Sequence, residues 1–307
     1  MNHPVLAAVV PPWQATLNLS ERTLIYYFLV IAGLALLAML LRTAIGIKEV
    51  SAKYRPSIFA GIGVVAIAFV SYVVLAIKFD VGYTQQGDLF VPNGNAIWSW
   101  APRYMDWSIT VPLLIVELIG VSALTGLAAR RMRVIGVASA ILMIFTGYLG
   151  GVVIDDGSSM TALLWWGIIS SVFFAVLYGV VIRTVMKSMP SLPGAARPTF
   201  RNAGILLLVI WFAYPIVFGF QGWTSGGASA TALQVTLSAA DIIAKVGFGL
   251  MIHKVAKLRT AADVAAGIDI HPETIWADQN KQADAVAPAS IHLEHADHEQ
   301  LAGQRLQ

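Results

Sequence analysis

Seven apolar stretches of roughly twenty residues run through this chain, and they constrain its fold more than any other feature. They cover positions 23–41, 58–79, 97–128, 134–154, 161–182, 204–222 and 232–252. At ~1.5 Å per residue, about 20 helical residues cross the ~30 Å hydrocarbon core of a bilayer. Only helices and closed barrels satisfy their backbone groups there, and barrel strands are about half this length. The expected fold class is therefore all-α, a seven-transmembrane-helix bundle occupying positions 23–259. The third stretch is the longest, with its membrane part starting near Trp100. Composition agrees: 57% of residues are hydrophobic and 12% charged, about half the charged share of a soluble domain. There is no Cys, which excludes disulfides. No internal repeat is visible, so duplicated transporter halves find no support.

Basic residues set the expected orientation. Arg42, Lys48, Lys53 and Arg55 follow the first stretch, and Arg130, Arg131 and Arg133 follow the third. Arg183, Lys187, Arg197 and Arg201 follow the fifth, and Lys254, Lys257 and Arg259 the seventh. These are 14 of the 20 basic residues, all on alternate connections, while the opposite connections carry Asp80, Asp88, Asp155 and Asp156. The N-terminus is expected outside and the C-terminus in the cytoplasm, in an inner (plasma) membrane. The pI of about 9.1 is thus a topology signal and not the mark of a nucleic-acid partner. Positions 1–22 read as an extracellular segment. They are not a secretory signal, because a basic start is missing and Pro11-Pro12 interrupts the apolar run. Positions 260–307 turn to Asp, Glu, Gln, His and Ala and read as a cytoplasmic tail, mostly disordered from 269 on. His292, His295 and His298 stand there at helical spacing, but a solvated tail is the simpler reading and no metal is expected.

Lys78 stands at the outer end of the second span, where its side chain can snorkel to the surface, and five ionisable residues lie deeper: Arg103, Asp106 and Glu117 on the third, Asp241 and Lys245 on the seventh. An uncompensated ammonium at the centre of a membrane helix costs about 2.5–3.5 kcal/mol on insertion scales. Asp241, one helical turn before Lys245, is the partner at hand. Two cations against three carboxylates leave one negative charge in excess. Protonating Glu117, which stands alone among Val, Leu and Ile, balances the set. Going inward along the third helix, Asp106 is ~4.5 Å below Arg103 and Glu117 a further ~16.5 Å down. Lys245 falls level with Asp106 or slightly inward of it. A titratable nitrogen with a carboxylate on either side has the layout of a proton path. Ion pairs that only fix helix packing leave Glu117 without a role, since no basic partner stands at its depth. A buried lysine, unlike an arginine, can also form a Schiff base.

Three segments then resemble a known family. Arg103-Tyr104-Met105-Asp106-Trp107-Ser108-Ile109-Thr110-Val111-Pro112-Leu113-Leu114 is similar to the third helix of microbial (type I) rhodopsins. Trp211-Phe212-Ala213-Tyr214-Pro215 resembles their sixth-helix signature, and Leu237 to Lys245 their retinal-bearing segment. The matches are collinear, and the likeness spans about 21–259. It implies that Lys245 holds all-trans retinal as a protonated Schiff base, with Asp106 as counterion and proton acceptor and Asp241 as second counterion. Arg103 becomes the outward gate and Glu117 the proton donor. Trp107, Trp211, Tyr214, Pro215 and Phe218 would clamp the polyene. Met143, Thr146, Gly147 and Trp166 would line its ring end, Leu114 would tune the colour toward green, and Tyr72 would bond to Asp241. The triplet Asp106, Thr110, Glu117 resembles outward proton pumps of the proteorhodopsin group. Chloride and sodium pumps differ at these positions, and sensory members usually lack the third carboxyl.

The resemblance implies a light-driven ion transporter and not an enzyme, with the lipid bilayer and protons as partners, assembled as a homo-oligomer between trimer and hexamer. Departures matter too. Trp223 and Leu233 replace the two outer glutamates of archaeal pumps, so proton release is expected to follow uptake. Ser71 replaces a histidine common beside the counterion. Gly167 stands one position from the place of a carotenoid antenna, and Trp166 is expected to block it, so no antenna is expected. The alternatives are a photosensor signalling to a partner protein, a light-gated ion channel, or a retinal-free transporter or scaffold.

Overall fold

A computed structural model describes residues 8–286 of the chain. It is a seven-helix bundle. The helices are α1 (Leu19–Ile45), α2 (Arg55–Val81), α3 (Pro102–Gly120), α4 (Gly126–Gly157), α5 (Met160–Ser191), α6 (Ala196–Phe220) and α7 (Gly227–Ala265). Six of them are long and apolar enough to cross a membrane, while α3 carries three ionisable residues in its 19. The chain is a multi-pass membrane protein, and the hydrophobic residues left exposed on its sides, such as Phe59, Val209 and Trp165, face lipid. Small residues let the helices approach closely. A Cβ at Gly120 would stand 2.8 Å from Ser57 Cβ on α2, and one at Gly136 2.7 Å from Ile115 on α3.

Local signals set the ends and breaks. Asn18 caps α1 in a reciprocal box with Glu21, both bonds 2.9 Å. Within α6 the helix is interrupted at Phe212, three residues before Pro215, whose missing N–H leaves the Trp211 carbonyl without its helical partner. In α7 the ladder loosens to a π-turn over Ile242–Gly247, the stretch that carries Lys245, and such bulges gather at functional sites. A second π-turn, Leu149–Val153, loosens the last part of α4 and leads into Asp155 and Asp156, which take left-handed φ of 51° and 52°.

Two sequence expectations change here. The third stretch, expected to be a single long run over 97–128, is divided. Ala96–Ser99 form a 3-10 turn, α3 ends at Gly120, and Gly126 with φ +55° opens α4. Apolar residues in the connection between α3 and α4 concealed that turn. Arg130, Arg131 and Arg133 therefore lie in the first turns of α4. The tail from 260 on, expected to be mostly disordered past 269, carries regular structure within its described residues. Here α7 continues to Ala265, and a hairpin pairs Ile275–Ala277 with Asn280–Ala283. Ile275 is buried with Ala261 and Val264, and Ala277 with Ala196 and Leu258. The three consecutive apolar residues Ile275-Trp276-Ala277 were too short a pattern to read. His292, His295 and His298 lie outside the described residues. On the opposite face, Leu17–Asn18, Tyr83–Gln86 and Leu89–Pro92 form a small antiparallel sheet that covers the loop ends.

Candidate functional site

Lys245 lies buried between two carboxylates. Its Nζ donates to Asp106 Oδ2 on α3 and stands 3.3 Å from Asp241 Oδ2 on its own helix. The two acids are held differently. Asp241 accepts from Tyr72 Oη at 2.9 Å, Tyr214 Oη at 2.6 Å and Trp107 Nε1 at 3.2 Å, and Arg103 is 3.9 Å away. Asp106 Oδ1 has no partner among the described residues. The Thr110 hydroxyl turns to the Asp106 backbone carbonyl, 3.0 Å, and not to its carboxylate.

Arg103 extends the network away from the lysine. It donates to Tyr72 Oη at 2.9 Å, Gln234 Oε1 at 2.8 Å and Ser238 Oγ at 3.1 Å. Gln234 in turn bonds to the Ser99 carbonyl at 3.2 Å. Gln234 and Ser238 escaped the sequence reading. Their spacing before Asp241 and Lys245, on one face of α7, was the signal available.

Glu117 sits apart on the basic-loop side. It is 3% exposed and joins no ion pair among the described residues. Its carboxyl rests on glycines of two other helices: a Cβ at Gly61 would stand 2.8 Å from its Oε1, and one at Gly249 3.7 Å. Ser57 donates to its backbone carbonyl at 2.6 Å.

From Lys245 a cavity opens across the bundle to α4 and α5. Trp107, Leu114, Met143, Gly147, Trp211, Tyr214, Pro215 and Phe218 line it, together with Asp241 and Lys245. Thr146 and Trp166, expected at the ring end, do not. The Thr146 hydroxyl bonds back to the carbonyls of Leu142 and Met143, 2.7 and 3.1 Å, and Trp166 packs against Gly150. The α5 face that lines the cavity is Gly167, Ser170, Ser171 and Phe174, one residue out of register with the expectation. Trp166 does not block Gly167 either, since Gly167 itself lines the cavity; the ring packed closest to it is that of Phe218, 2.7 Å from where a Cβ at Gly167 would stand. Tyr72 lies beneath the carboxylates and outside the lining. The combination of a buried amine at one end, flanking carboxylates and a long aromatic wall fits a polyene aldehyde.

A family model described as bacteriorhodopsin-like protein matches residues 22–258. The chain belongs to the bacteriorhodopsin-like family of microbial rhodopsins. This rhodopsin is 31% identical over 237 residues to bacteriorhodopsin-I of Haloarcula marismortui, covering 74% of this chain and 88% of that one. It is 32% identical over 226 residues to sensory rhodopsin-1 of Halobacterium salinarum, covering 71% and 81%. Among solved structures it resembles xanthorhodopsin, described as a light-driven ion pump with dual chromophore, at TM-score 0.72 and 26% identity, covering 83% of this chain and 99% of that one. Members of the family bind retinal, and this rhodopsin is a retinal protein.

Proposed function

We propose that this rhodopsin is a light-driven pump that moves protons outward across the plasma membrane, with Lys245 carrying the retinal. The observation that carries the reading is Glu117. It is a buried carboxyl with no cationic partner among the described residues, on the side of Lys245 away from Asp106 and Arg103. A pigment that only signals has no need of it.

Retinal supplies light absorption and a change of shape that turns the Lys245 nitrogen. The surrounding residues then give that turn a direction. Asp106 takes the proton, because it is the carboxylate with an unpartnered oxygen, whereas three donors and Arg103 keep Asp241 charged. Hydrogen bonding to the charged form is what separates the two acids. Arg103 and Gln234 shield the path toward the acidic-loop face, taken as the outside. Glu117 returns a proton from the basic-loop side, taken as the cytoplasm. Lifting one charge against 100 mV takes ~2.3 kcal/mol, far below the energy of a visible photon. The Phe218 ring over Gly167 speaks against a second chromophore on α5.

External pH measured in retinal-supplied cells tests the proposal. Illumination should acidify the medium reversibly, and an uncoupler should abolish the signal. No light-driven pH change in retinal-loaded membranes, with a photocycle lasting seconds, would favour the sensory reading that the 32% identical relative keeps open.

A further inference from the structure

Glu117 lies under a closed surface, and a donor that has given up its proton must be refilled from the basic-loop side. The next ionisable group along that side is His253. Gly249, whose Cβ position is 3.7 Å from Glu117 Oε1, and His253 are four residues apart on α7, so they share one face about 6 Å apart. His253 is 1% exposed. Arg42 NH1 on α1 stands 3.0 Å from its Nδ1. A guanidinium only donates, so Nδ1 is the acceptor and the neutral ring carries its proton on Nε2.

That Nε2 is buried and has no partner among the described residues. Glu49 Oε2 is 3.8 Å from it, too far for a direct hydrogen bond. Glu49 is itself 44% exposed on its side chain and held by Lys257 at 3.0 Å. The crowding is built in, since a Cβ at Gly46 would stand 2.7 Å from His253 Cε1 and 3.2 Å from Glu49 Oε2. Arg42 from α1, Glu49 from the turn after it and Lys257 from α7 are the charged groups around the ring, with Glu117 from α3 one turn outward.

We infer that Glu49 and His253 form the intake of the proton path to Glu117, with Glu49 collecting the proton and the His253 Nε2–H ordering the water that carries it inward. Glu49 takes a proton from solvent and yields it to the bridging water, which passes one of its own toward the Glu117 carboxylate. One O–H bond breaks at Glu49 and one forms at Glu117, while the ring only donates to the water and ends unchanged. His253 is therefore a positioning residue. The inference rests on the pump reading.

The test uses the full retinal-loaded chain in vesicles, following the Glu117 carboxyl band by infrared after a flash, beside a pH dye. Glu49→Gln and His253→Leu should each slow the refilling of Glu117 by roughly tenfold or more, without changing how fast Asp106 gains its proton. Azide, a small weak acid that reaches buried carboxylates, should restore the rate. His253→Gln, which keeps a side-chain N–H, should stay within about threefold of the parent. In the resting protein, 15N NMR should find His253 protonated at Nε2 and bare at Nδ1. Refilling within twofold of the parent in both Glu49→Gln and His253→Leu, or a ring protonated only at Nδ1, overturns the intake while light-driven acidification leaves the pump standing. No acidification by the parent chain removes the pump reading, and the intake with it.

Discussion

The carboxyl of Glu117 rests where Gly61 has no side chain: a methyl there would meet its Oε1 at 2.8 Å and its Cδ at 3.1 Å. Those distances are shorter than ordinary contact, so Gly61→Ala must push the carboxyl off α2, at a cost of about 1–3 kcal/mol for overpacking. The expected outcome is a shifted Glu117 carboxyl band and slower return of its proton, with the visible band unmoved because Gly61 does not line the retinal cavity. Flash infrared spectra check this, and an unchanged band would mean that Gly61 does not set the carboxyl. Lys245→Ala is simpler: the only amine among the described residues that line the cavity goes, and no visible band should form when retinal is added. Lys245, Asp241, Asp106 and Glu117 stood out in the sequence because charges inside apolar stretches are costly and therefore few. Gly61, Gln234 and Ser238 were not legible, since such residues occur anywhere and only the packing of α2, α3 and α7 gives them a role.

Among the elements, α7 shows both what periodicity reveals and what it misses. The Asp241–Lys245 spacing predicted an ion pair, and one exists at 3.3 Å, but the π-turn that carries the lysine leaves no mark in hydropathy. The division between α3 and α4 was hidden for the same reason. At ~1.5 Å per residue α7 is ~58 Å long against a ~30 Å core, so its last turns stand outside the membrane. There Asp263 accepts from Lys53 Nζ at 2.8 Å and Tyr54 Oη at 2.7 Å, tying α7 to the connection between α1 and α2. Burial pulls the Asp263 carboxyl up, but these two hydrogen bonds, with Lys53 and Arg259 nearby, outweigh it and hold it below its ordinary value. A lowered folded value means that its contribution is present at neutral pH. It is lost as pH falls from about 4 through that lower value. Asp263→Asn should therefore lower stability at pH 7 by about 1 kcal/mol, because Lys53 is exposed. The gap from the parent should close in acid, as thermal melts of the detergent-solubilised protein across pH would show. A gap that widened toward low pH would contradict the assignment.

For the molecule as a whole, alternate connections carry the basic residues, and they lie on the side of Glu49 and of the hairpin of Ile275–Ala277 with Asn280–Ala283. The small sheet of Leu17–Asn18, Tyr83–Gln86 and Leu89–Pro92 marks the other face. Positive charge on one set of loops orients a membrane protein with that set in the cytoplasm, and outward pumping requires the same sense, with Glu117 inward of Lys245 and Asp106. The basic loops and the proposed outward pumping call for the same orientation, and the chain allows a clean test of it because it has no Cys. Each introduced thiol is then the only one. Asp88 sits in the turn between the paired strands of the sheet, and Asp278 in the turn of the C-terminal hairpin. In intact cells a membrane-impermeant maleimide should label Asp88→Cys and leave Asp278→Cys untouched until the cells are opened. The reverse pattern would place Glu117 nearer the outside, and the same three carboxylates would then have to move protons inward.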